Sequence, residues 1–395
     1  MKVIIVDDGF AGWSGHSAEY NLAIFNELER RGINCQIFAH NSISKFKDLA
    51  AKAKPTFAHT ASNFSFHCKI LPKLICKLIM VFFTNASHLF DLLRKITPFV
   101  DNKDLLLVAD FSPRTSVAYS LWFFYLAVLG KKLTVVVPVH GATRYYGSWA
   151  LLKLLARSHR LTLAALNQPI ADICSKQTSI ECKAFPTPQT SQAPNFSDSR
   201  EKSGSEVTLA FLGVAIVEKG FDVLVDEISL LKDMFNEKQI SLTVQCNIVQ
   251  GTPVLNKAKD KLFSLARSIT GLKVIEGALS KEQFFDALSF ADILIFPYQP
   301  EIYRYIQSGV FTQALTLGKV VIVTDDTFIA SELERYGSGI AYRYGVPGAL
   351  AKAIETAVNN IEIMKAKAQK TKSLYYQIHN PKRYVDLLLE LRTLS

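Results

Sequence analysis

The chain has few cysteines and no pattern among them. Six are scattered over 395 residues (Cys35, Cys68, Cys76, Cys174, Cys182 and Cys246), with no C-x-x-C pair. That argues against a zinc site and against a disulfide framework, and a reduced, cytosolic compartment is expected. No stretch of about eighteen uninterrupted apolar residues occurs, so no spanning helix is expected. The first apolar run, residues 3–6, is closed at once by Asp7 and Asp8 and is too short for the core of a secretory signal. The G-x-G-x-x-G fingerprint of dinucleotide sites is missing. The second expected strand ends Phe38-Ala39-His40-Asn41, without the acid that would hold an NAD ribose. Nicotinamide chemistry is therefore disfavoured. There is no short-period repeat and no recognisable nucleic-acid-binding motif.

What is present is the composition of a globular protein: 49% apolar and 20% charged residues. At roughly 100–200 residues per domain, the length implies two domains. An excess of basic residues gives a formal net charge of +10, which points to an anionic partner. Strands and helices alternate twice. Strands are expected at 2–6, 33–39, 105–109, 133–139 and 161–166, with helices at 17–31, 116–129 and 170–176. Residues 186–206 then run rich in Ser, Thr, Pro, Gln and Asn, the composition of an exposed linker. The alternation restarts with strands at 207–212, 241–249, 272–276, 293–296 and 320–324, and helices at 221–235, 281–289 and 309–317. Such alternation predicts two α/β, doubly wound, Rossmann-like domains. The expected division is 1–188, a linker at 189–205, 206–375, and a C-terminal helix in 376–395 packing back on the first domain. Ligands in such sheets bind beyond the carboxyl ends of the strands, so each domain is expected to present that edge to an inter-domain cleft.

Several residues at those edges carry chemistry. After the strand 207–212, Gly213 is followed by Lys219 and Gly220 just before a helix. Backbone amides at a helix start plus one lysine suit a diphosphate. Ser308, Gly309 and Val310 open another helix, which also contains Gln313. In the first half, Gly12 and Gly15 flank a loop running into His16 and a helix; glycine permits close backbone approach to a ligand. His140 closes a buried strand and is followed by Gly141, with Arg144 a turn away to meet a phosphate. Asp110 is a further edge acid, read as a cap or turn residue.

These strings resemble the GT-B glycosyltransferases, and within them the retaining family four, over nearly the whole chain. In that family a strand-Gly-Arg-x4-Lys-Gly segment binds the donor diphosphate. Lys219 matches its lysine, while Val214 stands where arginine is usual. The helix-strand-Pro segment matches residues 284–297. A Glu-x7-Glu motif normally precedes the run matched here by Ala314 to Val321; the register puts Tyr305 and Gln313 at the two glutamate positions. The resemblance implies that Gln313 meets the donor ribose and that Tyr305, Arg304 or Glu301, four residues upstream, lies by the donor sugar. It also implies that His140 lies beside the transferred sugar and that the loop through Gly12, Gly15 and His16 serves the acceptor side.

The resemblance implies transfer of a sugar from a UDP- or GDP-sugar to a glycan or lipid-linked acceptor, with retention, in cell-surface polysaccharide or glycoconjugate synthesis. No metal and no cofactor besides the nucleotide-sugar co-substrate is expected. The missing glutamates keep two alternatives open: a non-catalytic GT-B protein acting as a binding or partner subunit, and a GT-B-fold sugar-nucleotide epimerase. The segment 45–103 concentrates lysine and arginine, with Lys69, Lys73 and Lys77 on one helical face. Such a basic amphipathic helix suits an anionic membrane surface. A peripheral place on the inner face of the membrane is therefore expected, and no nucleic acid.

Overall fold

The computed structural model describes residues 2–12, 17–59, 73–112, 114–139, 146–188, 206–237 and 239–393. The expected linker 189–205 lies outside them, as do Gly15, His16, Lys69, His140, Gly141 and Arg144, and the side chains of Lys73 and Lys77. The chain divides into two units: Met1–Thr190 with His379–Ser395, and Ser191–Ile378.

The first unit is built on a parallel sheet ordered β3-β2-β1-β4-β5-β6-β7. Its strands are β1 Val3–Asp7, β2 Cys35–His40, β3 Ala53–Phe57, β4 Leu105–Val108, β5 Thr134–Pro138, β6 Arg160–Ala165 and β7 Glu181–Ala184. β1 and β4 are buried along their whole length, as continuous apolar runs in the middle of a parallel sheet must be. The order reverses direction between β1 and β4, which is the switch point where such sheets bind ligands. Right-handed crossovers then place the helices Lys73–Asp91, Ser116–Val128, Tyr146–Leu155 and Gln168–Thr178 on one face and Ser17–Arg30 on the other. The last helix, Pro381–Thr393, packs on Ser17–Arg30 and β5. Its Tyr384, Val385, Leu388 and Leu391 enter the same core as Val3, Ile5 and Leu28. Arg31 ties it down through Asp386 at 2.7 Å.

The second unit repeats the plan with six strands ordered β10-β9-β8-β11-β12-β13. They are β8 Val207–Phe211, β9 Ile240–Cys246, β10 Leu272–Glu276, β11 Ile293–Phe296, β12 Val320–Thr324 and β13 Gly339–Tyr342. β8 and β11 lie side by side at its switch point, joined by the buried Asp292, whose carboxylate accepts from the Thr208 amide (3.0 Å) and hydroxyl (2.8 Å).

The differences from the sequence reading fall mainly at sheet edges. β3, β7 and β13 are edge strands absent from that reading. β3 reads Ala-Lys-Pro-Thr-Phe; a lysine and a proline are tolerated only where one side of the strand needs no partner. The helix expected at 221–235 is split into Phe221–Glu227, a 3-10 turn Ile228–Leu231 and Lys232–Asn236.

Candidate functional site

In the second unit the residues after β8 and β11 converge. β8 ends at Phe211, and Gly213 takes φ 112°, a conformation that side chains resist. The Gly213 amide donates to Gln245 Oε1 at 2.8 Å, and Gln245 Nε2 donates to the Gly277 carbonyl at 3.0 Å, so the turn is clamped from β9. A β-carbon at 213 would stand 3.4 Å from Lys219 Nζ and 3.8 Å from Val310 Cγ2. Three segments thus meet around a point that carries no side chain.

Lys219 is held there by its neighbours. It lies on the turn Val217–Lys219, and Gly220 follows with φ 65°. Gly220 passes so close to the end of β11 that an added β-carbon would lie 1.9 Å from the Pro297 carbonyl oxygen. The Gln299 amide donates to the Glu218 carbonyl at 3.0 Å. Lys219 Nζ is 5.8 Å from the centre of the Tyr298 ring. Burial pushes its pKa down, and no carboxylate among the described residues pairs with it. A desolvated ammonium without an anion is costly; an incoming anion removes that cost.

The third segment is the helix Gly309–Thr316. Ser308 is its N-cap: the hydroxyl accepts from the Phe311 amide at 3.3 Å and lies 3.0 Å from the buried Tyr298 Oη. Helix geometry leaves the Gly309 and Val310 amides without intrahelical acceptors, and the helix dipole favours negative charge in front of them. Gly213, Lys219, Ser308, Gly309 and Val310 therefore form one anion-binding cluster. Gln313 lies one turn beyond Gly309 on the same helix face.

The remaining nominated residues of this unit are placed differently. Arg304 is turned to Asp326, Nη2 to Oδ2 at 2.6 Å, and both side chains are exposed. An exposed pair contributes at most about 1 kcal/mol, so it is easily exchanged for a ligand. Glu301 is exposed in the first turn of Pro300–Tyr303, and its charge is felt by Tyr344. Tyr305 is half-buried. Val214, at the usual arginine position, makes an isolated bridge to Asn247. Tyr298 and Gln245 were not nominated from sequence, and Gly220 entered only as part of the Lys-Gly segment. The one sequence cue was Gly220 directly after the lysine, because a glycine there marks a close approach.

In the first unit the edge of β1 and β4 gathers three carboxylates. Asp7 and Asp8 leave β1, and Asp110 follows β4. Gly9 separates two of them: a β-carbon on it would be 2.8 Å from Asp110 Oδ2 and 3.2 Å from Asp7 Oδ1. Asp7 accepts from the Gly9 amide at 2.9 Å and from Asn21 Nδ2. Burial pushes its pKa up to about 7, and burial together with the charges of Asp8 and Asp7 holds Asp110 well above the carboxylate range. Asp110, read from sequence as a cap or turn residue, is thus part of a proton-holding cluster.

His88 completes it. Its Nε2 lies 3.1 Å from Asp8 Oδ2 and its Nδ1 3.0 Å from the Thr84 carbonyl. Both ring nitrogens face acceptors, so both carry protons when Asp8 is ionised. Burial alone would lower the His88 pKa, but the hydrogen bond and charge of Asp8 outweigh it and the pKa is raised. Gly12 lies against Phe46: a β-carbon there would be 2.7 Å from the ring. Among the described residues no group of three or more His, Cys, Asp or Glu side chains has the arrangement of a metal site.

Comparison with known proteins agrees with this architecture. Residues 206–360 match the family described as glycosyl transferases group 1. A glycosyltransferase from Rickettsia africae has 12% identity, with 100% of this chain and 98% of that one covered at a TM-score of 0.71. HepE of Anabaena, solved in complex with UDP, has 13% identity, full coverage of both chains and a TM-score of 0.67. An α,α-trehalose-phosphate synthase (UDP-forming) from Burkholderia xenovorans has 10% identity, with 99% and 100% covered and a TM-score of 0.69. A search of curated protein sequences finds no match. The fold is that of the GT-B glycosyltransferases, as the sequence resemblance implied. The match to glycosyl transferases group 1 falls within the second unit, over residues 206–360.

Proposed function

We propose that the protein transfers a sugar from a nucleoside-diphosphate sugar, a UDP-sugar in first place, to a glycan or lipid-linked acceptor. The observation that carries this reading is Lys219: a desolvated ammonium with no carboxylate partner, set against a side-chain-free glycine and the open amides of Gly309 and Val310. That combination of one cation and a helix N-terminus favours a diphosphate, and most of all the diphosphate on which charge accumulates as the sugar leaves. HepE of Anabaena, which shares the fold, has been solved with UDP and with UDP-glucose, which supports uridine as the first base to test. Gln313 takes the ribose through its amide oxygen, a neutral hydrogen bond about half as strong as one to a carboxylate. Arg304 leaves Asp326 to approach the donor, and Glu301 orients the sugar. Transfer with retention, a role in cell-surface glycan synthesis and a peripheral place on the cytoplasmic side of a membrane, reached through the basic segment 45–103, complete the reading.

The first test is a thermal-shift or calorimetric titration with UDP, GDP, ADP and TDP and their common sugar conjugates. A ligand at 100 times its Kd should stabilise the protein by about 2.7 kcal/mol. No stabilisation by any of them would favour a non-catalytic partner subunit, the reading motivated by Val214, Tyr305 and Gln313. Turnover of a bound conjugate into an isomer without an acceptor would favour an epimerase.

Lys219→Met keeps an unbranched side chain one atom shorter and removes its charge. It should leave folding intact, because the ammonium is already desolvated, and weaken UDP binding roughly 10- to 100-fold, the worth of one hydrogen bond to a charged group. Equal affinity by calorimetry would take Lys219 out of the site.

A further inference from the structure

The helical layer of the first unit has an outer surface that is apolar where water is expected. On the helix Ser116–Val128 and the residue after it, the exposed positions are Val117, Leu121, Phe124, Tyr125, Val128 and Leu129. They recur at helical spacing and form one stripe. The opposite stripe, Ala118, Tyr119, Trp122, Phe123 and Leu126, is buried. A helix apolar all round belongs inside a core or against lipid. The neighbouring helix Lys73–Asp91 packs beside it and also turns apolar side chains outward, Leu78, Phe82, Ala86 and Phe90, with Phe82 69% exposed, while Thr84, Asn85, His88 and Asp91 are buried. Both helices lie on the same face of the sheet, so the two stripes are adjacent. Large apolar side chains exposed on two helices packed side by side mark an interaction surface.

We infer that this two-helix surface docks on an anionic lipid bilayer, with its Phe, Leu and Val side chains inserted at the headgroup boundary. The inference deepens the membrane part of the proposed function, rests on it, and places the contact on apolar stripes rather than on a lysine face. Two observations favour lipid over a protein partner. A protein interface carries about one hydrogen bond per 100–200 Å², yet these stripes hold a single side-chain donor, Tyr125. Among the described residues within four positions of the helix ends, the exposed charges (Arg94, Arg114 and Lys132) are all basic, and residues 116–129 contain no carboxylate. Basic flanks around an apolar face match anionic headgroups. No described helix is long and apolar enough to cross a membrane, so the helices lie in the interface plane.

The test is flotation of the full chain with vesicles of phosphatidylcholine and phosphatidylglycerol, compared with the triple variant Phe82→Gln, Phe124→Gln, Val128→Gln. All three positions are exposed, so the fold tolerates the change; a UDP thermal shift on the same samples reports the second unit independently. The expected result is binding by the wild type that persists at 0.5 M salt, and about a tenfold or greater loss of vesicle affinity in the variant with the UDP shift unchanged. Three outcomes would overturn the inference: no vesicle binding by the wild type, equal binding by both, or a wild-type dimer in sedimentation that the variant converts to monomer without vesicle binding. Failure of UDP, GDP, ADP and TDP alike to shift either protein, with vesicle binding as expected, would overturn the glycosyl-transfer reading and leave the surface assignment standing.

Discussion

Replacing Gly220 with alanine should abolish nucleotide binding and destabilise the second unit by about 3 kcal/mol or more. Two costs combine. At φ 65° an alanine is strained by about 1–2 kcal/mol. Its β-carbon would also stand 1.9 Å from the Pro297 carbonyl oxygen, which only a backbone shift relieves, and shifts of that kind belong to the large end of single-substitution effects. For a unit of this size the loss corresponds to a fall of roughly 6–12 °C in thermal midpoint. The shift moves Lys219 away from Gly213 and Val310, so binding is lost along with stability. Gly213→Ala supplies the contrast. Its φ of 112° strains an alanine too, but its β-carbon would meet the mobile end of Lys219 rather than backbone, so binding should fall while the midpoint loses only the cost of the backbone strain. A Gly220→Ala protein that melts and binds UDP like the wild type would remove the basis for the Lys219 geometry.

Asp7→Asn should stabilise the first unit at pH 8 by about 4 kcal/mol and flatten its pH profile. Asp7 has a folded pKa of about 7 against an ordinary value of 3.8, and each pKa unit corresponds to about 1.4 kcal/mol. The folded state holds a proton that the unfolded chain has lost, so stability falls as pH rises from about 4 to 7. Asp110 shifts in the same direction and adds to the slope. His88 does too, because a raised imidazole pKa gives stability that disappears as pH climbs past it. Asparagine at 7 still accepts from the Gly9 amide through its oxygen. Its amide can donate to Asn21 Oδ1, an oxygen that has no partner in the wild type, once the Asn21 side chain turns over. The measurement is the thermal midpoint between pH 4 and 8. Parallel profiles for the two proteins would show that Asp7 does not hold the proton.

The central strands were readable because each is a short β-branched run buried on both faces. Residues 293–296 and 320–324 were placed with their observed bounds, β11 Ile293–Phe296 and β12 Val320–Thr324. The edge strands β3, β7 and β13 were not readable, because a strand with one free side needs neither length nor an apolar run. Of the site, Gly213, Lys219, Ser308, Gly309 and Val310 were legible from glycine and helix-start chemistry. Tyr298 and Gln245 were not, since their roles come from contacts across about 10 and 32 residues that no local pattern records. The acid cluster at Asp7, Asp8 and Asp110 was legible only as separate edge acids. It becomes one unit when β1 and β4 pair and His88 arrives from another helix. The helix at 116–129 was expected and is present, but nothing local distinguished a buried stripe from an exposed one when both are apolar.

The docking of Pro381–Thr393 in the first unit bears on the order of synthesis. The core of that unit includes Tyr384, Val385, Leu388 and Leu391 alongside Val3 and Ile5, so its two parts are separated by the whole of Ser191–Ile378. As the chain emerges at about 5–20 residues per second, the second unit has all of its own strands before the first has its last helix. The half encoded second can therefore be finished first. Until residues 381–393 are made, the side of the first sheet that carries Ser17–Arg30 stays open to solvent, and Tyr20 waits for the Tyr384 hydroxyl, which reaches it at 2.6 Å.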